Sequence, residues 1–393
     1  YLRKEQARGL RRTPYFAHLK AAGAQFGSAN GWERPLYFGR DMTDGFDRQP
    51  WFDDWKAEHL ALRNDLGMID LTFGRFIVDG EAAEARMQHL CGADMAAAPG
   101  ALVYTHMFND EGGIEADVTV ARLSGTRYLV MASAGAEPQV TYWLKARLEG
   151  SGLSLVNVTS SEATLAVMGP RSRGFLSGLT DADLSQDAFP FATWQDLHIG
   201  HVPVRAQRIT YVGELGWELH VASEYAQELF ETLMAAQDPP RLCGGMAVDS
   251  CRIEKGFRHW GHDIGPFDSP VESGLTFACD VSTRFAGSEA IEARRKQGVK
   301  SRLLLFRLED PEALIFGKEP ILRNGQIVGR VTSGSYGWSV GGAVGMGYVT
   351  RPDGMSLQAL ARDSYQIMVS GRPVAATASL RAFIDPANTR MRG

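Results

Sequence analysis

An acidic residue lies between two apolar residues in the stretch RITYVGELGWELHV. Alternation on either side of the sequence GELG predicts a hairpin, with Trp217 and Leu219 on its core face and Glu218 on the other face. If the hairpin loop has an even number of residues, Tyr211 lies directly across from Glu218, whereas an odd loop or a bulge breaks that pairing. Tyr211 and Glu218 are therefore candidate functional residues, although an ordinary solvated face explains the hairpin taken alone.

The stretch IEADVTVARL predicts a strand with one apolar face and one acidic face. Its side chains alternate between the two faces, so that Glu115, Asp117 and Thr119 lie together. The residues predicted to face the core are Ile114, Ala116, Val118 and Val120. Pattern alone favours a solvated sheet face for the acidic side, so a chemical role for Asp117 needs further support.

Other polar clusters give weaker signals. The sequence HWGHD places His259 and His262 three residues apart, but no third metal ligand is visible, and hydrogen bonding explains the pair better than a metal site. Arg252, Lys255 and Arg258 lie close together in DSCRIEKGFRH, where a solvated helix face accounts for most of the charge. The sequence contains no G-x-S-x-G motif, and nothing in it distinguishes a Cys/His dyad from four buried thiols.

Hydrophobic periodicity predicts the elements that position these residues. The first part of the chain predicts a helix ending at Gly67, a strand at RFIVDG, and a helix on which Ala83, Met87 and Leu90 share one face. Three consecutive antiparallel strands follow, from ALVYTHMFN to RYLVMAS, with a reversal at the sequence DEGG. A helix from about Pro138 to Leu148 is predicted to cover these strands.

The same pattern then repeats loosely. ATLAVMGP predicts a strand, and SEYAQELFETLMAAQ predicts a helix with Tyr225, Leu229 and Leu233 in register, followed by a helix from Met246 to Lys255. From about Ser301, short strands alternate with Gly and Asn turns, which is typical of a small all-β domain. The predicted architecture is thus two α+β regions followed by a β barrel or sandwich, without a GxGxxG or GxxxxGKS nucleotide motif.

Length, charge and cysteine content limit the classes of protein to which the chain can belong. The chain has 393 residues, which is enough for two or three domains, and its net charge of -5 disfavours binding to nucleic-acid backbones. No apolar run approaches the roughly 20 residues of a membrane-spanning helix. The four cysteines are scattered, which predicts reduced thiols in a cytosol-like compartment. The opening YLRKEQARGLRRTPYF resembles a linker and suggests a fragment of a longer polypeptide; a processed amino terminus is the alternative.

Several blocks together resemble the aminomethyltransferase family of the glycine cleavage system. NDEGGIEADVTV resembles the family's strand with the catalytic aspartate, and YVGELGWELHV resembles its pterin-binding hairpin. DSCRIEKGFRHWGHDIGPFDSPVESGLTFA and GRVTSGSYGWSVGGAVGMGYV resemble later blocks, so the likeness covers nearly the whole chain in the expected order. Within the family, GWERPLYF, ELGWELHV and RHWGHD are most similar to the folate-binding halves of dimethylglycine and sarcosine dehydrogenases or oxidases.

The resemblance implies an α+β fold, organised as a three-domain cloverleaf around a central hole that holds tetrahydrofolate. It implies a discontinuous folate-binding α+β domain over residues 1–71 and 160–290, and a second α+β domain over residues 72–159. Both are expected to be ferredoxin-like or otherwise antiparallel. The third domain, over residues 291–393, is expected to be a small β barrel or jelly roll.

The resemblance also implies the roles of individual residues. Asp117 matches the catalytic aspartate beside the reactive N5 and N10 edge of the folate; the family often has paired aspartates, but here Ala116 precedes Asp117. Glu218 matches an acceptor for two N–H groups of the pterin, with Tyr211 beside it. The folate-binding residues implied in this way are Tyr211, Glu218, Thr119, Arg252, Tyr104 and Met131.

The implied activity is the capture of a one-carbon unit at the formaldehyde oxidation level, which gives 5,10-methylenetetrahydrofolate. The carbon would come from an oxidised N-methyl amine such as dimethylglycine or sarcosine, with FAD in an upstream domain or partner subunit. The expected compartment is the cytoplasm, or the mitochondrial matrix in a eukaryote. Two alternatives stay open: direct methyl transfer to tetrahydrofolate from a sulfonium, methoxy or amine-oxide-type substrate, and a folate-binding subunit without chemistry.

Overall fold

The computed structural model of the chain describes residues 6, 8–43, 45, 47–71, 73–352 and 354–393. The predicted linker falls partly on residues 1–5 and 7, which lie outside the described residues. The chain divides into two compact units, each built from separate stretches. The first unit comprises Tyr1–Phe73, Val158–Arg252 and Ala387–Gly393, and the second comprises Gly74–Asn157 and Ile253–Pro386. The division into three domains given above stays a prediction.

The strands and helices of the described residues are numbered in chain order. The strands are β1 Ala24–Ala29, β2 Trp32–Phe38, β3 Gly67–Asp70, β4 Phe73–Asp79, β5 Leu102–Phe108, β6 Ile114–Arg122, β7 Arg127–Ser133, β8 Ser154–Asn157, β9 Glu162–Met168, β10 Trp194–Ile199, β11 Val202–Gln207, β12 Gly216–Ala222, β13 Arg241–Cys243, β14 Ser301–Leu308, β15 Pro320–Arg323, β16 Gln326–Gly337, β17 Gly342–Thr350, β18 Tyr365–Val369 and β19 Arg372–Ser379. The helices are α1 Phe16–Ala21, α2 Phe52–Asn64, α3 Ala83–Leu90, α4 Glu137–Leu148, α5 Ser172–Ser177, α6 Ala226–Ala235, α7 Gly245–Glu254, α8 Pro270–Ser273, α9 Ser288–Gln297, α10 Leu357–Arg362 and α11 Thr389–Arg392. None of the helices that the structure describes is long and apolar enough to cross a lipid bilayer.

A six-stranded sheet forms the centre of the first unit. Its strand order is β10-β11-β12-β9-β3-β13, and β13 runs parallel to β3 while the other neighbours are antiparallel. Alternation along β12 buries Trp217, Leu219 and Val221 in one apolar core, where Leu229 and Leu233 of α6 also lie. The predicted core face of this strand is confirmed.

The second unit contains a five-stranded sheet and a barrel. The sheet has the order β5-β6-β7-β4-β8, and its consecutive strands β5, β6 and β7 pair antiparallel as predicted. Helices α3 and α4 contribute Met87 and Val140 to the core on the apolar face of β6, beside Val118 and Val120. This confirms the predicted inward face of the strand IEADVTVARL.

The last part of the second unit is a closed barrel with the strand order β14-β17-β16-β15-β18-β19. Asn324 and Gly325 connect β15 to β16 with positive φ angles of 51° and 75°, which is the backbone a two-residue hairpin turn requires. Leu304, Phe306 and Ile321 fill the barrel interior. The mixed α+β fold with a C-terminal barrel is therefore confirmed.

The predicted register of the hairpin around GELG is wrong. β12 pairs with β11, so that Gln207 rather than Tyr211 lies across from Glu218. The connection between the two strands, residues 208–215, is longer than a tight turn. Thr210 Oγ1 accepts hydrogen bonds from two backbone N–H groups of this connection, and such side-chain bonds compete with the strand ladder.

Two smaller predictions also need correction. α2 ends at Asn64 rather than at Gly67, because Gly67 already pairs with Met168 as the first residue of β3. Tyr225 is 44% exposed and does not share the core face of α6, where Ala226 is buried instead. The reason is that Tyr225 belongs to a short 3-10 turn, Ser223–Tyr225, which precedes the α-helix and does not follow its periodicity.

Replacing Gly113 by alanine should destabilise the second unit. A Cβ atom at Gly113 would lie 1.7 Å from the Pro266 carbonyl oxygen, so the backbone has to move. We expect a loss of about 1–3 kcal/mol, measured from the midpoint of urea-induced unfolding. Gly125→Ala is the matched control, since a Cβ there meets nothing within 4 Å. Equal midpoints for the two variants would show that this close approach does not constrain the fold.

Candidate functional site

Four of the predicted site residues lie together on one face of the five-stranded sheet. In the strand register, Tyr104 of β5 lies across from Thr119 of β6, and Thr119 lies across from Met131 of β7. Asp117 lies two residues from Thr119 on β6 and therefore shares its face. The second unit thus brings Asp117, Thr119, Tyr104 and Met131 into one patch, opposite the face that packs on the apolar core.

Asp117 is a buried acid of this patch with an unsatisfied oxygen atom. Its side chain is 17% exposed, and its Oδ1 atom has no hydrogen-bond partner among the described residues. The Tyr104 hydroxyl donates a hydrogen bond to the Asp117 carboxylate and lowers its pKa, but burial has the larger effect and raises the pKa to about 7. Asp117 can therefore exchange a proton near neutral pH, and it retains an acceptor for a ligand.

His106 belongs to the same patch, although the sequence analysis did not select it. It lies across from Asp117 in the register, and its Nε2 atom is 3.4 Å from Asp117 Oδ1 and 3.2 Å from the Tyr104 hydroxyl. Burial, together with the positive charge of Arg258, lowers the pKa of His106 to about 3, so the ring is neutral at pH 7. The sequence did contain a signal for His106, because it lies two residues after Tyr104 on a predicted strand and therefore on the same face.

Glu218 lies in a buried polar layer of the first unit. Its register partners are Gln207 on β11 and Ala166 on β9, and Gln207 is itself fully buried. His220, two residues further along β12, places Nε2 3.6 Å from Glu218 Oε2, and its Nδ1 atom is 3.1 Å from Thr164 Oγ1. Gln207 and His220 were missed by the sequence analysis, although the spacing of two from Glu218 indicated His220.

Tyr211 lies in the irregular connection 208–215 and is half-buried. Arg63 of α2 fixes this connection, because its guanidinium donates a 2.6 Å hydrogen bond to the Val212 carbonyl. Arg252, the remaining predicted folate contact, is buried on α7 and forms an ion pair with Asp249, with a 3.0 Å Nε–Oδ1 distance. Tyr211, Glu218 and Arg252 belong to the first unit, so a common site with Asp117 stays a prediction.

The histidine pair of HWGHD forms a ring contact within the second unit. The rings of His259 and His262 are perpendicular, with centroids 4.8 Å apart. The described residues contain no group of three or more His, Cys, Asp or Glu side chains placed to hold a metal ion. All four cysteines are free thiols.

Two family models match the chain. The model described as the GCVT N-terminal domain covers residues 15–283, and the model described as the glycine cleavage T-protein C-terminal barrel domain covers residues 302–385. The chain belongs to the glycine cleavage T-protein family. This is a family of aminomethyltransferase-like, folate-dependent one-carbon transfer, and the predicted resemblance is confirmed.

Individual T-protein relatives agree with this assignment. The chain is 36% identical to 4-methylaminobutanoate oxidase (formaldehyde-forming) from Paenarthrobacter nicotinovorans, over 100% of this chain and 48% of that protein. It is 34% identical to mitochondrial sarcosine dehydrogenase from Homo sapiens, over 98% of this chain and 48% of that protein. The chain thus spans about half the length of these relatives.

A solved T-protein structure confirms the fold. The glycine cleavage system aminomethyltransferase T from Bartonella henselae superposes with a TM-score of 0.83 at 25% sequence identity. The match covers 96% of this chain and 99% of that chain. The α+β arrangement and the C-terminal barrel are therefore those of the T-protein fold.

Asp117→Asn should make stability less dependent on pH. Because burial raises the pKa of Asp117, the folded chain keeps a proton that the unfolded chain releases above about pH 4. Wild-type stability therefore falls as the pH rises from about 4 to about 7, and the neutral variant avoids that loss. We measure the free energy of unfolding of both proteins by urea denaturation. The value for the variant minus the value for the wild type should increase by at least about 1 kcal/mol between pH 5 and pH 8.

Asp110→Asn is the control for this measurement. Asp110 lies in the turn between β5 and β6, and its side chain is 78% exposed. The Asp110→Asn substitution should change the free energy of unfolding by the same amount at pH 5 and at pH 8. If the Asp117 and Asp110 variants behave alike, the carboxyl of Asp117 does not titrate near pH 7.

Proposed function

We propose that the chain binds tetrahydrofolate and uses it to capture a one-carbon unit at the formaldehyde oxidation level, giving 5,10-methylenetetrahydrofolate. The observation that carries this proposal is Asp117, a buried carboxyl with a pKa of about 7 and an oxygen without a partner among the described residues. It lies on the strand that resembles the catalytic strand of the family. Membership of a folate-dependent family supports the same reading.

Glu218 is the proposed acceptor for the pterin. A pterin presents an amidine-like edge of N–H donors, and one carboxylate accepts two such donors at once. Burial keeps the Glu218 carboxylate away from competing water, and neighbouring Gln207 and His220 restrict its orientation. Tyr211 would pack beside the pterin ring, with its hydroxyl group as the polar end. The further proposed folate contacts are Thr119, Tyr104, Met131 and Arg252.

Asp117 is the proposed general base. Tetrahydrofolate supplies, when bound, the nitrogen nucleophiles that accept the one-carbon unit. Asp117 takes up the proton that the attacking nitrogen loses, and its pKa suits that task because a base is most effective when its pKa is near the working pH. The Tyr104 hydroxyl and the neutral ring of His106 hold the carboxylate in place.

The names of two relatives support formaldehyde-level carbon as the substrate. Sarcosine is an N-methyl amine, and 4-methylaminobutanoate oxidase is described as formaldehyde-forming. We infer that the one-carbon unit comes from an N-methyl amine that an FAD-containing domain or partner subunit oxidises. The chain matches 48% of the length of each relative, so about half of each relative lies outside the match and has room for an FAD-containing domain. The cytoplasm, or the mitochondrial matrix, is the proposed compartment.

Asp117→Asn should abolish most of the catalysed reaction. With tetrahydrofolate and formaldehyde as substrates, the rate above the uncatalysed background should fall by roughly 10²- to 10⁴-fold, because the base is lost. Mass spectrometry of the product identifies 5,10-methylenetetrahydrofolate, which forms from formaldehyde with release of water. Asp110→Asn should react like the wild type. A native rate for a folded Asp117→Asn variant would exclude this role for the carboxylate.

Glu218→Gln should weaken folate binding more than it changes the rate at saturation. Loss of one carboxylate acceptor leaves a pterin donor unsatisfied, so we expect the dissociation constant from calorimetry to rise roughly tenfold to hundredfold. Glu224→Gln, at an exposed position just after β12, should bind folate like the wild type. Equal affinity for wild type and Glu218→Gln contradicts the proposed pterin site.

A further inference from the structure

The connection that carries Tyr211 is held by a distant part of the sequence. Residues 387–393, here called the brace, belong to the first unit although they follow residues of the second. The Arg390 guanidinium lies 3.1 Å from Glu214 Oε1, and the Arg208 guanidinium donates a hydrogen bond to the Arg392 carbonyl. Arg208 and Glu214 both lie within residues 208–215, so the brace contacts both ends of the connection.

Glu214 is the centre of these contacts. It is buried, and its Oε1 atom is shared by Arg390 and by Arg63, whose Nη1 atom is 3.0 Å away. Burial raises the pKa of Glu214, whereas the two arginines lower it. A buried carboxylate is costly unless it is paired and hydrogen-bonded, so both cations contribute to keeping Glu214 in place.

Arg63 is not available to replace Arg390. Its Nη1 atom already donates to the Val212 carbonyl, and its Nη2 atom donates a 2.7 Å hydrogen bond to the Cys251 carbonyl. These bonds fix the Arg63 guanidinium between α2, α7 and the connection. Without Arg390, Glu214 keeps Arg63, whose geometry is set by other groups, and the connection loses one of its two contacts with the brace.

We propose that the brace is a positioning element for the folate-binding connection, and that Arg390, through Glu214, sets the affinity of the chain for folate. Arg390 does not touch the ligand in this proposal; it acts by restricting the conformations of the segment that carries Tyr211. The statement about affinity rests on the function proposed above. The statement about the ordering of residues 208–215 stands without it.

Arg390→Met tests the proposal in the full chain. This variant keeps the apolar stem of the side chain and removes the cation, which is 47% exposed, so the chain should still fold. Hydrogen exchange of the backbone amides of residues 208–215, measured without ligand, should become faster, while the amides of β9 and β12 stay protected. The dissociation constant for tetrahydrofolate should rise roughly threefold to tenfold, with little change in the rate at saturation.

Two further variants separate positioning from general stability. Arg392→Met changes an exposed side chain whose backbone carbonyl makes the contact, so it should match the wild type in both measurements. Arg390→Lys keeps the positive charge and should recover part of the exchange protection and part of the affinity.

Four results would count against the proposal, and they are distinguishable. Unchanged exchange at residues 208–215 in Arg390→Met, or equal loosening of the whole unit, contradicts the positioning role. Faster exchange with unchanged folate affinity contradicts the link to binding. Faster exchange in a chain whose wild type binds no folate overturns the proposed function but leaves the ordering of the connection by Arg390 in place.

Discussion

Removal of carboxylates from water is the constraint on which this structure depends. A buried carboxylate needs either cations or hydrogen-bond donors, and otherwise its pKa rises. Burial raises the pKa of Glu214 as well, but Arg63 and Arg390 oppose that rise and hold the carboxylate in place. Asp117 has the Tyr104 hydrogen bond and a neutral His106 beside it, and its pKa rises to about 7. Burial thus acts on both carboxyls, but only Glu214 is paired with two arginines, whereas Asp117 has a pKa near neutral pH.

Antiparallel strand pairs explain how Asp117 and Glu218 come to lie on the polar faces of the sheets. In each unit, one face of a strand enters an apolar core and the other face carries polar side chains. Val118 and Val120 alternate with Asp117 on β6, as Trp217 alternates with Glu218 on β12. The apolar residues fix the register, since a slip of one residue would turn the polar ones into the core. Stability and the placement of candidate functional groups therefore come from one alternating pattern.

Local pattern was enough to predict much of the fold. Alternation identified the faces of β6 and β12, and the Gly and Asn turns after Ser301 indicated a small all-β domain, in which Asn324 and Gly325 have positive φ angles. These features depend on neighbours in the sequence. The motif resemblance, which the family models confirm, supplied the T-protein fold that periodicity alone left as a barrel or sandwich.

Features that depend on distant residues were not predicted. The connection 208–215 is held by Arg63 and by the brace, and neither contact leaves a signal near GELG. Gln207 becomes a candidate site residue only once the strand register places it across from Glu218, and the register likewise places His106 across from Asp117. Register is set by side-chain packing and by loop length, so a short motif does not specify it.

The proposed function requires Asp117 and Glu218 to serve the same bound folate. A crystal structure of the chain with tetrahydrofolate tests this most directly. We expect hydrogen bonds from the pterin N–H groups to the Glu218 carboxylate, and the N5 and N10 edge within reach of Asp117. A folate bound elsewhere, or one that contacts only one of the two acids while the other faces solvent, would contradict it.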